Sequence, residues 1–354
     1  MISKAILFPY YLTLKLRNRL YDKGHKKTYS FDVPIISIGN VAVGGTGKTP
    51  MTEMAIRILK DRCRVAVVSA GYKRHSKGFL LVSASDTARN VGDEPLQIKR
   101  KFPDAIVAVD SKRERAVRQL LAMPEDVRPE VILLDDGLQY RRLGHSKDII
   151  MEEYGRPAFK DQLLPLGRLR DDPAQIKRAD AVVVTKCPDY LDEWERGKMR
   201  SGSRLRPEQP IFFSKIKYCP AKAVFPADGD RRYIYSKEVY LFTGIADDRQ
   251  LVLHLTDSYD TIYHKKYGDH HAYSSMDIRS LYSVAKRNPR VLLLTTEKDA
   301  QRLATLSKVP DEVRRRLFYI PVEMEMLTSG EADAFEKFLL EGLKLRNPHP
   351  GLLF

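Results

Sequence analysis

A glycine-rich loop between a predicted strand and a predicted helix limits the fold more than any other part of this sequence. The strand covers residues 34–38, where only Ser37 is polar. The loop reads Ala-Val-Gly-Gly-Thr-Gly-Lys-Thr over residues 42–49, and apolar residues then recur at helical spacing over residues 54–59. Glycines allow successive backbone N–H groups to turn inward, and together with a helix N-terminus they form an anion site. This context predicts a phosphate-binding loop.

The polar residues of the loop have predicted roles in binding a nucleoside triphosphate. Lys48 is expected to reach the β- and γ-phosphates, and the Thr49 hydroxyl is expected to bind Mg²⁺. The strict loop pattern begins with glycine, whereas this chain has Ala42, and the glycines that follow supply the lost freedom. The predicted nucleotide-binding residues are Gly44, Gly45, Thr46, Gly47, Lys48 and Thr49.

Apolar strands and helical segments alternate along the first part of the chain. The predicted strands cover residues 34–38, 64–69, 79–82, 105–109, 131–134, 149–151 and 181–184. This alternation predicts an α/β fold with a doubly wound, mainly parallel sheet of the P-loop NTPase type. In such sheets ligands bind at the carboxyl ends of the strands, which is where the polar loops of this chain occur.

The length of 354 residues favours two domains. We predict a P-loop core over residues 1–205 and a linker over residues 206–234, where prolines are frequent and residues 212–216 form a linker strand. A second, smaller α/β domain is predicted for residues 235–354, ending in a helix near residues 332–343 and closing over the active-site cleft.

The N-terminal region predicts a basic amphipathic helix over residues 8–21, with Pro9 in its first turn. Leu12, Leu16 and Leu20 recur every fourth residue, and basic residues lie among them. Such a helix is typical of one that lies on an anionic membrane surface, but it could equally pack its apolar stripe against the domain. No apolar run is long enough to span a bilayer, and no signal-peptide cleavage site follows.

The composition restricts the partners without choosing among them. The chain has 61 Lys+Arg against 46 Asp+Glu, a formal net charge of +15. This excess favours nucleotides, nucleic acids or acidic lipid surfaces as partners. Cys63, Cys187 and Cys219 are too few and too widely spaced for a disulfide framework or a zinc site, so a reducing cytoplasm is expected.

Acidic residues at predicted strand ends are the candidates for catalysis and metal binding. Asp135 follows four apolar residues, as a Walker-B carboxylate does, and a cation between it and Asp136 would relieve their repulsion. Asp93 follows a glycine in another loop at this edge and, taken alone, resembles a helix N-cap. In the second domain, Asp269-His270-His271 is the densest group of titratable residues, but it lacks metal-ligand spacing.

The ordered set of motifs resembles the tetraacyldisaccharide 4′-kinase family, the lipid A 4′-kinases also called LpxK. The motifs are Ser-Ile-Gly-Asn at 37–40, Gly-Gly-Thr-Gly-Lys-Thr at 44–49, Gly-Tyr at 71–72, Gly-Asp-Glu-Pro at 92–95, Asp-Asp-Gly-Leu-Gln at 135–139, Leu-Pro-Leu-Gly-Arg-Leu-Arg at 164–170, Phe-Thr-Gly-Ile at 242–245, Asp-His at 269–270 and Thr-Glu-Lys-Asp at 296–299. Two positions depart from the family pattern, with Tyr140 where His is frequent and Asp171 where Glu is usual.

The resemblance implies transfer of the ATP γ-phosphate to the 4′-hydroxyl of a tetraacyldisaccharide 1-phosphate lipid at the cytoplasmic face of the bacterial inner membrane. It implies bound ATP and Mg²⁺, an anionic membrane surface as partner, no nucleic acid and no obligate protein partner. The roles that it implies are phosphate binding by Lys48, metal binding by Thr49, Asp135 and Asp136, general base catalysis by Asp93, orientation of that base by His270, charge stabilisation by Arg170, and substrate contacts by Tyr72, Glu94 and Gln139.

Two other classes of protein share part of this pattern. A regulatory or metallochaperone-type P-loop GTPase would use Thr185-Lys186 to read guanine, but Pro188 stands where that element needs Asp. A nucleic-acid-dependent ATPase would use the positive charge, yet the sequence contains no recognisable nucleic-acid-binding module. The motifs therefore favour the lipid kinase.

Overall fold

The computed structural model describes residues 2–226 and 235–343, without the side chains of residues 2–8. Residues 227–234 of the predicted linker and residues 344–354 of the predicted second domain therefore lie outside the described residues. The strands are β1 (Ile35–Asn40), β2 (Val65–Ser69), β3 (Leu80–Leu81), β4 (Ile106–Val109), β5 (Val131–Asp135), β6 (Lys147–Glu153), β7 (Ala181–Thr185), β8 (Ile211–Tyr218), β9 (Lys222–Ala223), β10 (Glu238–Thr243), β11 (Thr261–Lys266), β12 (Leu292–Thr296), β13 (Leu317–Ile320) and β14 (Val322–Met326).

Helices follow most of these strands. They are α1 (Ile2–Asp22), α2 (Lys48–Leu59), α3 (Ala88–Val91), α4 (Asp93–Lys101), α5 (Arg113–Leu121), α6 (Glu193–Gly202), α7 (Arg249–Thr256), α8 (Ser275–Arg287), α9 (Glu297–Leu303), α10 (Asp311–Arg316) and α11 (Ser329–Glu341). Short 3₁₀ helices cover Ala158–Lys160 and Pro173–Arg178.

The larger sheet has the strand order β14-β8-β7-β6-β1-β5-β2-β4-β3 over the described residues. Strand β1 lies near its centre and pairs in parallel with β5 and β6. Each residue of β1, β2, β5 and β7 is buried, because helices cover both faces of a parallel sheet. The predicted doubly wound, mainly parallel α/β sheet is confirmed, and the glycine-rich loop begins at the carboxyl end of β1.

A smaller sheet has the order β11-β10-β12-β13-β9, in which only β9 is antiparallel to its neighbour. The helix α9 leads from this sheet toward α4 of the larger sheet, and the two helices pack against each other. At this joint Arg100 Nη1 donates a hydrogen bond of 2.9 Å to Gln301 Oε1. The loops at the carboxyl ends of the two sheets therefore share one cleft.

The predicted domain boundaries do not coincide with the sheets. Strand β8, predicted to belong to a linker, pairs with β7 and β14 in the larger sheet. Strand β14 and helix α11, predicted to belong to the second domain, return to that sheet as well. The physical reason is hydrophobic packing: the rings of Phe212 on β8 and Phe335 on α11 meet edge to face, with centroids 5.2 Å apart, in the core of the larger sheet.

Helix α1 begins at Ile2, six residues before the predicted start near residue 8. Pro9 accordingly lies inside the helix and not in its first turn, which corrects the sequence prediction. Proline lacks an N–H group, so one backbone hydrogen bond of the helix is missing at this point. The helix continues on both sides of Pro9 and ends at Asp22, close to the predicted end.

Candidate functional site

The glycine-rich loop has the shape of an anion site. Gly47 caps the N-terminus of α2 with φ of 89°, a left-handed conformation that glycine adopts without steric cost. Asn40 Nδ2 donates a 2.6 Å hydrogen bond to Thr46 Oγ1, and Thr185 Oγ1 donates a 2.9 Å hydrogen bond to the Thr46 carbonyl. The loop is thus fixed to the carboxyl ends of β1 and β7, and it leads directly into the N-terminus of α2, which favours anions.

A cleft of about 930 Å³ opens over this loop and extends to the smaller sheet. The predicted site residues that line it are Gly44, Gly45, Thr46, Gly47, Lys48, Thr49, Tyr72, Glu94, Asp135, Asp136, Arg170 and His270. Asp93 and Gln139 do not line it directly. The volume is large enough for a nucleotide and part of a second substrate.

The adjacent aspartates at the end of β5 have opposite environments. Asp135 is 1% exposed, and neither of its carboxylate oxygens has a hydrogen-bond partner among the described residues. Burial, followed by the charges of Glu94 and Asp136, raises the pKa of Asp135 to about 7. Two buried oxygens without a donor are what a bound divalent cation would satisfy, so Asp135 fits a metal ligand.

Asp136 is instead engaged by cations. Its φ of 58° turns the side chain out of the strand direction, and Arg170 Nη1 donates a 2.7 Å hydrogen bond to Asp136 Oδ2. Lys48 Nζ lies 3.8 Å from Asp136 Oδ1. Burial would raise the pKa of Asp136, but Lys48 and Arg170 outweigh burial and lower that pKa to about 2. Arg170 also donates a 2.5 Å hydrogen bond to Asn40 Oδ1, so it joins the loop to the acidic pair.

Asp93 and His270 come from the two different sheets and meet beside the cleft. His270 Nδ1 lies 3.0 Å from Asp93 Oδ2, which makes a hydrogen bond, and the Glu94 N–H donates a 3.0 Å hydrogen bond to Asp93 Oδ1. Burial would raise the pKa of Asp93, but the hydrogen bond with His270 and the charges of Lys298 and Arg302 outweigh burial and hold that pKa below its usual range. The carboxylate is therefore ionised and retains a lone pair for another donor.

Two cations near Asp93 were not predicted as site residues. Lys298, on α9, makes an ion pair with Glu94, and Arg302, one turn further along the helix, donates a hydrogen bond to Asp93 Oδ2. Lys298 lies within the Thr-Glu-Lys-Asp motif, and its side chain lines the cleft. Helical spacing from that motif could have indicated Arg302, because residues four apart share one face of a helix.

The three predicted substrate residues have different surroundings. Tyr72 is 63% exposed, and its ring centroid lies 5.3 Å from that of His270. Glu94 faces the cleft but is occupied by its ion pair with Lys298. Gln139 Nε2 donates a 2.7 Å hydrogen bond to the Asn40 carbonyl. The Gln139 side chain therefore stabilises the end of β1 and does not line the cleft. Tyr72 is the member of this group that is free to contact a substrate.

The two departures from the family pattern both make contacts within the protein. Tyr140 donates a hydrogen bond to Glu114 on α5, and the Arg113 guanidinium lies over its ring, 4.7 Å from the centroid. Asp171 accepts hydrogen bonds of 3.1 Å from Arg17 and 3.0 Å from Asn18, both on α1. Neither residue lines the cleft.

A sequence profile described as tetraacyldisaccharide-1-P 4′-kinase, LpxK, matches residues 4–344. The chain belongs to this family. A tetraacyldisaccharide 4′-kinase from Parabacteroides distasonis is 38% identical over 350 residues, which cover 97% of this chain and 95% of that protein. One from Bacteroides fragilis is 40% identical over 335 residues, which cover 92% of this chain and 88% of that protein.

The fold agrees with this assignment. The crystal structure of LpxK from Aquifex aeolicus in complex with ATP matches with a TM-score of 0.74 at 28% identity, over 97% of this chain and all of that one. The predicted family is confirmed, and the chain is a kinase of the lipid A pathway; the GTPase alternative is not favoured. Along the part of the chain that the structure describes, no helix combines the length and apolar character needed to cross a membrane.

Proposed function

We propose that this chain transfers the γ-phosphate of ATP to the 4′-hydroxyl of a tetraacyldisaccharide 1-phosphate. The loop over residues 44–49 binds the triphosphate, and Lys48 stabilises charge on the β- and γ-phosphates. The observation that supports this best is that Asp93 and His270, from two sheets, meet beside the cleft that the phosphate loop lines.

Asp135 and the Thr49 hydroxyl would hold Mg²⁺, which neutralises phosphate charge when bound. The unpartnered carboxylate of Asp135 and the burial of Thr49 at the start of α2 support this assignment. The Asp136 carboxylate makes ion pairs with both Lys48 and Arg170, so in the nucleotide-free protein it orients these two cations. No group of three or more His, Cys, Asp or Glu that could hold a metal occurs within the described ranges.

Asp93 would accept the proton of the sugar hydroxyl, while His270 fixes the carboxylate through its Nδ1 atom. Phosphoryl transfer has a loose transition state, in which the nucleophile loses its proton late. A carboxylate that is ionised and well oriented can serve there although it is a weak base. Arg170 and Lys48 would then offset the charge that develops on the transferred group.

Helix α1 would hold the enzyme on the membrane that contains its substrate. Leu14 is 6% exposed and packs on the larger sheet, whereas Leu12 is 46% and Leu16 is 60% exposed on the opposite side of the helix. The helix therefore has an inner face for the protein and an outer apolar face bordered by Lys15 and Arg19. This arrangement supports docking on an anionic bilayer, at the cytoplasmic face where ATP is available.

The reaction can be tested with labelled ATP, Mg²⁺ and disaccharide 1-phosphate lipid in detergent micelles, followed by chromatography. Labelled lipid is expected with the wild-type protein and not with Lys48→Ala. Asp93→Asn should lower kcat by about 10²-fold or more, while the KM for ATP stays within a factor of about three. A large increase of this KM with normal kcat would instead assign Asp93 to nucleotide binding. If the wild-type protein transfers no label to the lipid, the proposed function is refuted.

A further inference from the structure

We propose that Arg302 is a positioning residue for the transfer reaction: its guanidinium, supplied by the smaller sheet, holds the Asp93 carboxylate, which in turn binds the His270 ring, in the arrangement that receives the acceptor hydroxyl. This inference rests on the proposed role of Asp93. It assigns a function to a side chain that contacts the reacting atoms only through Asp93 and His270.

The contacts of Arg302 converge on this pair. Its Nη2 atom donates a hydrogen bond to Asp93 Oδ2 and lies 3.3 Å from His270 Nδ1. His270 Nδ1 is also 3.0 Å from Asp93 Oδ2, so Arg302 and His270 meet side by side as two donors to the same carboxylate oxygen. The Arg302 side chain is only 10% exposed, so solvent screens these contacts weakly.

The other nitrogen of the guanidinium fixes Arg302 to the smaller sheet. Its Nη1 atom donates a 2.7 Å hydrogen bond to Asp299 Oδ1 and a 3.1 Å hydrogen bond to the Gly244 carbonyl. Asp299 is fully buried and accepts further hydrogen bonds from the Gly244 N–H at 2.9 Å and from Thr296 Oγ1 at 2.7 Å. The planar fork of arginine is thus fixed on one side and holds the Asp93 carboxylate with the other.

The glycine at position 244 is explained by this arrangement. A Cβ atom there would lie 2.8 Å from Asp299 Oδ1 and 3.3 Å from Arg302 Nη1. Any larger residue would displace the carboxylate that anchors the guanidinium. Three motifs of the sequence, around residues 244, 270 and 299, therefore meet at one arginine that belongs to none of them.

Arg302 also favours the ionised form of Asp93. The charged groups that face Asp93 are His270 from the loop after β11, Lys298 and Arg302 from α9, and its helix neighbour Glu94. Asp299 and Tyr273 face the other side of Arg302. Removing the guanidinium takes away a cation from Asp93, so the Asp93 carboxylate should bind a proton at higher pH than in the wild type.

The test compares Arg302→Gln and Arg302→Lys with the wild type in the lipid kinase assay between about pH 3 and pH 9. Arg302→Gln is expected to lower kcat by about 10²-fold, to change the KM for ATP by less than about threefold, and to move the acidic limb of the kcat profile to higher pH. Arg302→Lys keeps the charge but not the fork, so kcat should fall by only about 3- to 10-fold and the limb should stay in place.

The matched control is Arg100→Gln. Arg100 lies at the same joint between α4 and α9 and bonds to Gln301, but it does not touch Asp93. This variant should keep the wild-type kcat profile. Circular dichroism and urea unfolding verify that each variant folds. If Arg302→Gln fails to fold, Arg302→Lys provides the test instead. A wild-type kcat for Arg302→Lys would overturn the inference.

Three further outcomes are distinguishable. An unmoved acidic limb in a folded Arg302→Gln protein, together with an inactive Asp93→Asn, would overturn the role of Arg302 alone. Full activity of Asp93→Asn would refute the proposed base and with it this inference. No lipid product from wild-type protein would refute the proposed function itself.

Discussion

At the scale of single residues, the two adjacent aspartates show how position separates chemically identical groups. Asp135 ends a buried strand and has no donor within the described part of the chain, whereas Asp136 follows with a left-handed φ and meets Lys48 and Arg170. A negative charge that is buried without a partner destabilises the folded chain. The unpaired carboxylate of Asp135 therefore lowers the stability of the nucleotide-free protein at the point where a cation would bind.

This predicts that Asp135→Asn makes the nucleotide-free protein more stable and the enzyme inactive. The unfolding free energy at about pH 8 should rise by about 1–2 kcal/mol, because a neutral amide costs less to bury than an unpaired carboxylate. Lipid phosphorylation should fall by about 10²-fold or more. Urea unfolding without nucleotide or Mg²⁺ and the lipid kinase assay measure the two effects.

The matched control is Asp104→Asn, which changes an exposed aspartate in the turn before β4. It should alter neither quantity measurably. A loss of stability in Asp135→Asn would show that the carboxylate is paired in solution, which contradicts the environment described above.

At the scale of elements, α1 and the loop over residues 161–172 connect the protein surface to the phosphate site. Asp171 anchors α1 through Arg17 and Asn18, and the preceding residue, Arg170, binds Asp136. The same loop contacts the phosphate loop through the Val43 N–H, which donates a 2.7 Å hydrogen bond to the Arg168 carbonyl. The position of the helix is therefore fixed relative to the triphosphate site.

The outer face of α1 predicts a loss of membrane binding when it becomes charged. The double variant Leu12→Glu, Leu16→Glu should reduce co-sedimentation with vesicles of anionic lipid by about tenfold or more, since apolar insertion is lost and charge repulsion is added. Activity toward substrate in detergent micelles should change little, because neither side chain packs on the domain.

Leu81→Glu is the matched control, because Leu81 is exposed to the same extent as Leu12 but lies on the edge strand β3. It should bind vesicles as the wild type does. Equal sedimentation of all three proteins would mean that α1 serves only to pack against the larger sheet.

At the scale of the whole molecule, a buried charge cluster joins the phosphate-loop helix to the smaller sheet. Lys101 Nζ lies 2.7 Å from Glu53 Oε2 on α2 and 3.3 Å from Glu297 Oε1 on α9. Burial and the charge of Glu53 raise the pKa of Glu297 to about 7. One ammonium group therefore balances two carboxylates at the joint of the two sheets.

Lys101→Met should destabilise the protein by about 3 kcal/mol at about pH 8, because two buried carboxylates lose their cation. The loss should shrink as the pH falls toward about pH 5, since the raised folded-state pKa of Glu297 lets this carboxylate bind a proton and become neutral in the folded protein. Urea unfolding at several pH values measures the effect.

Lys99→Met provides the control, because Lys99 lies on the same helix but bonds to the backbone carbonyls of Pro103 and Ala105. Its cost should be smaller and independent of pH over this range. A pH-independent loss in Lys101→Met would contradict the cluster.

The sequence by itself determined the local chemistry of this protein. The phosphate loop, the buried parallel strands and the family follow from short patterns, because N–H geometry, periodicity and motif spacing are properties of neighbouring residues. The roles of Lys48, Asp135, Asp136 and Asp93 stay predictions, but the structure gathers these residues at one edge of the larger sheet. Proline content does not reveal that β8, predicted as a linker strand, pairs with β7 and β14 in the larger sheet.

Only the tertiary structure decided which distant groups act together. Arg302 and Asp93 lie 209 positions apart in the chain, and their contact exists because α4 and α9 pack across the joint of the two sheets. It likewise decided that α1 has two faces, one against the core and one exposed. Such contacts depend on how whole elements pack, and packing is a cooperative property that no local pattern contains.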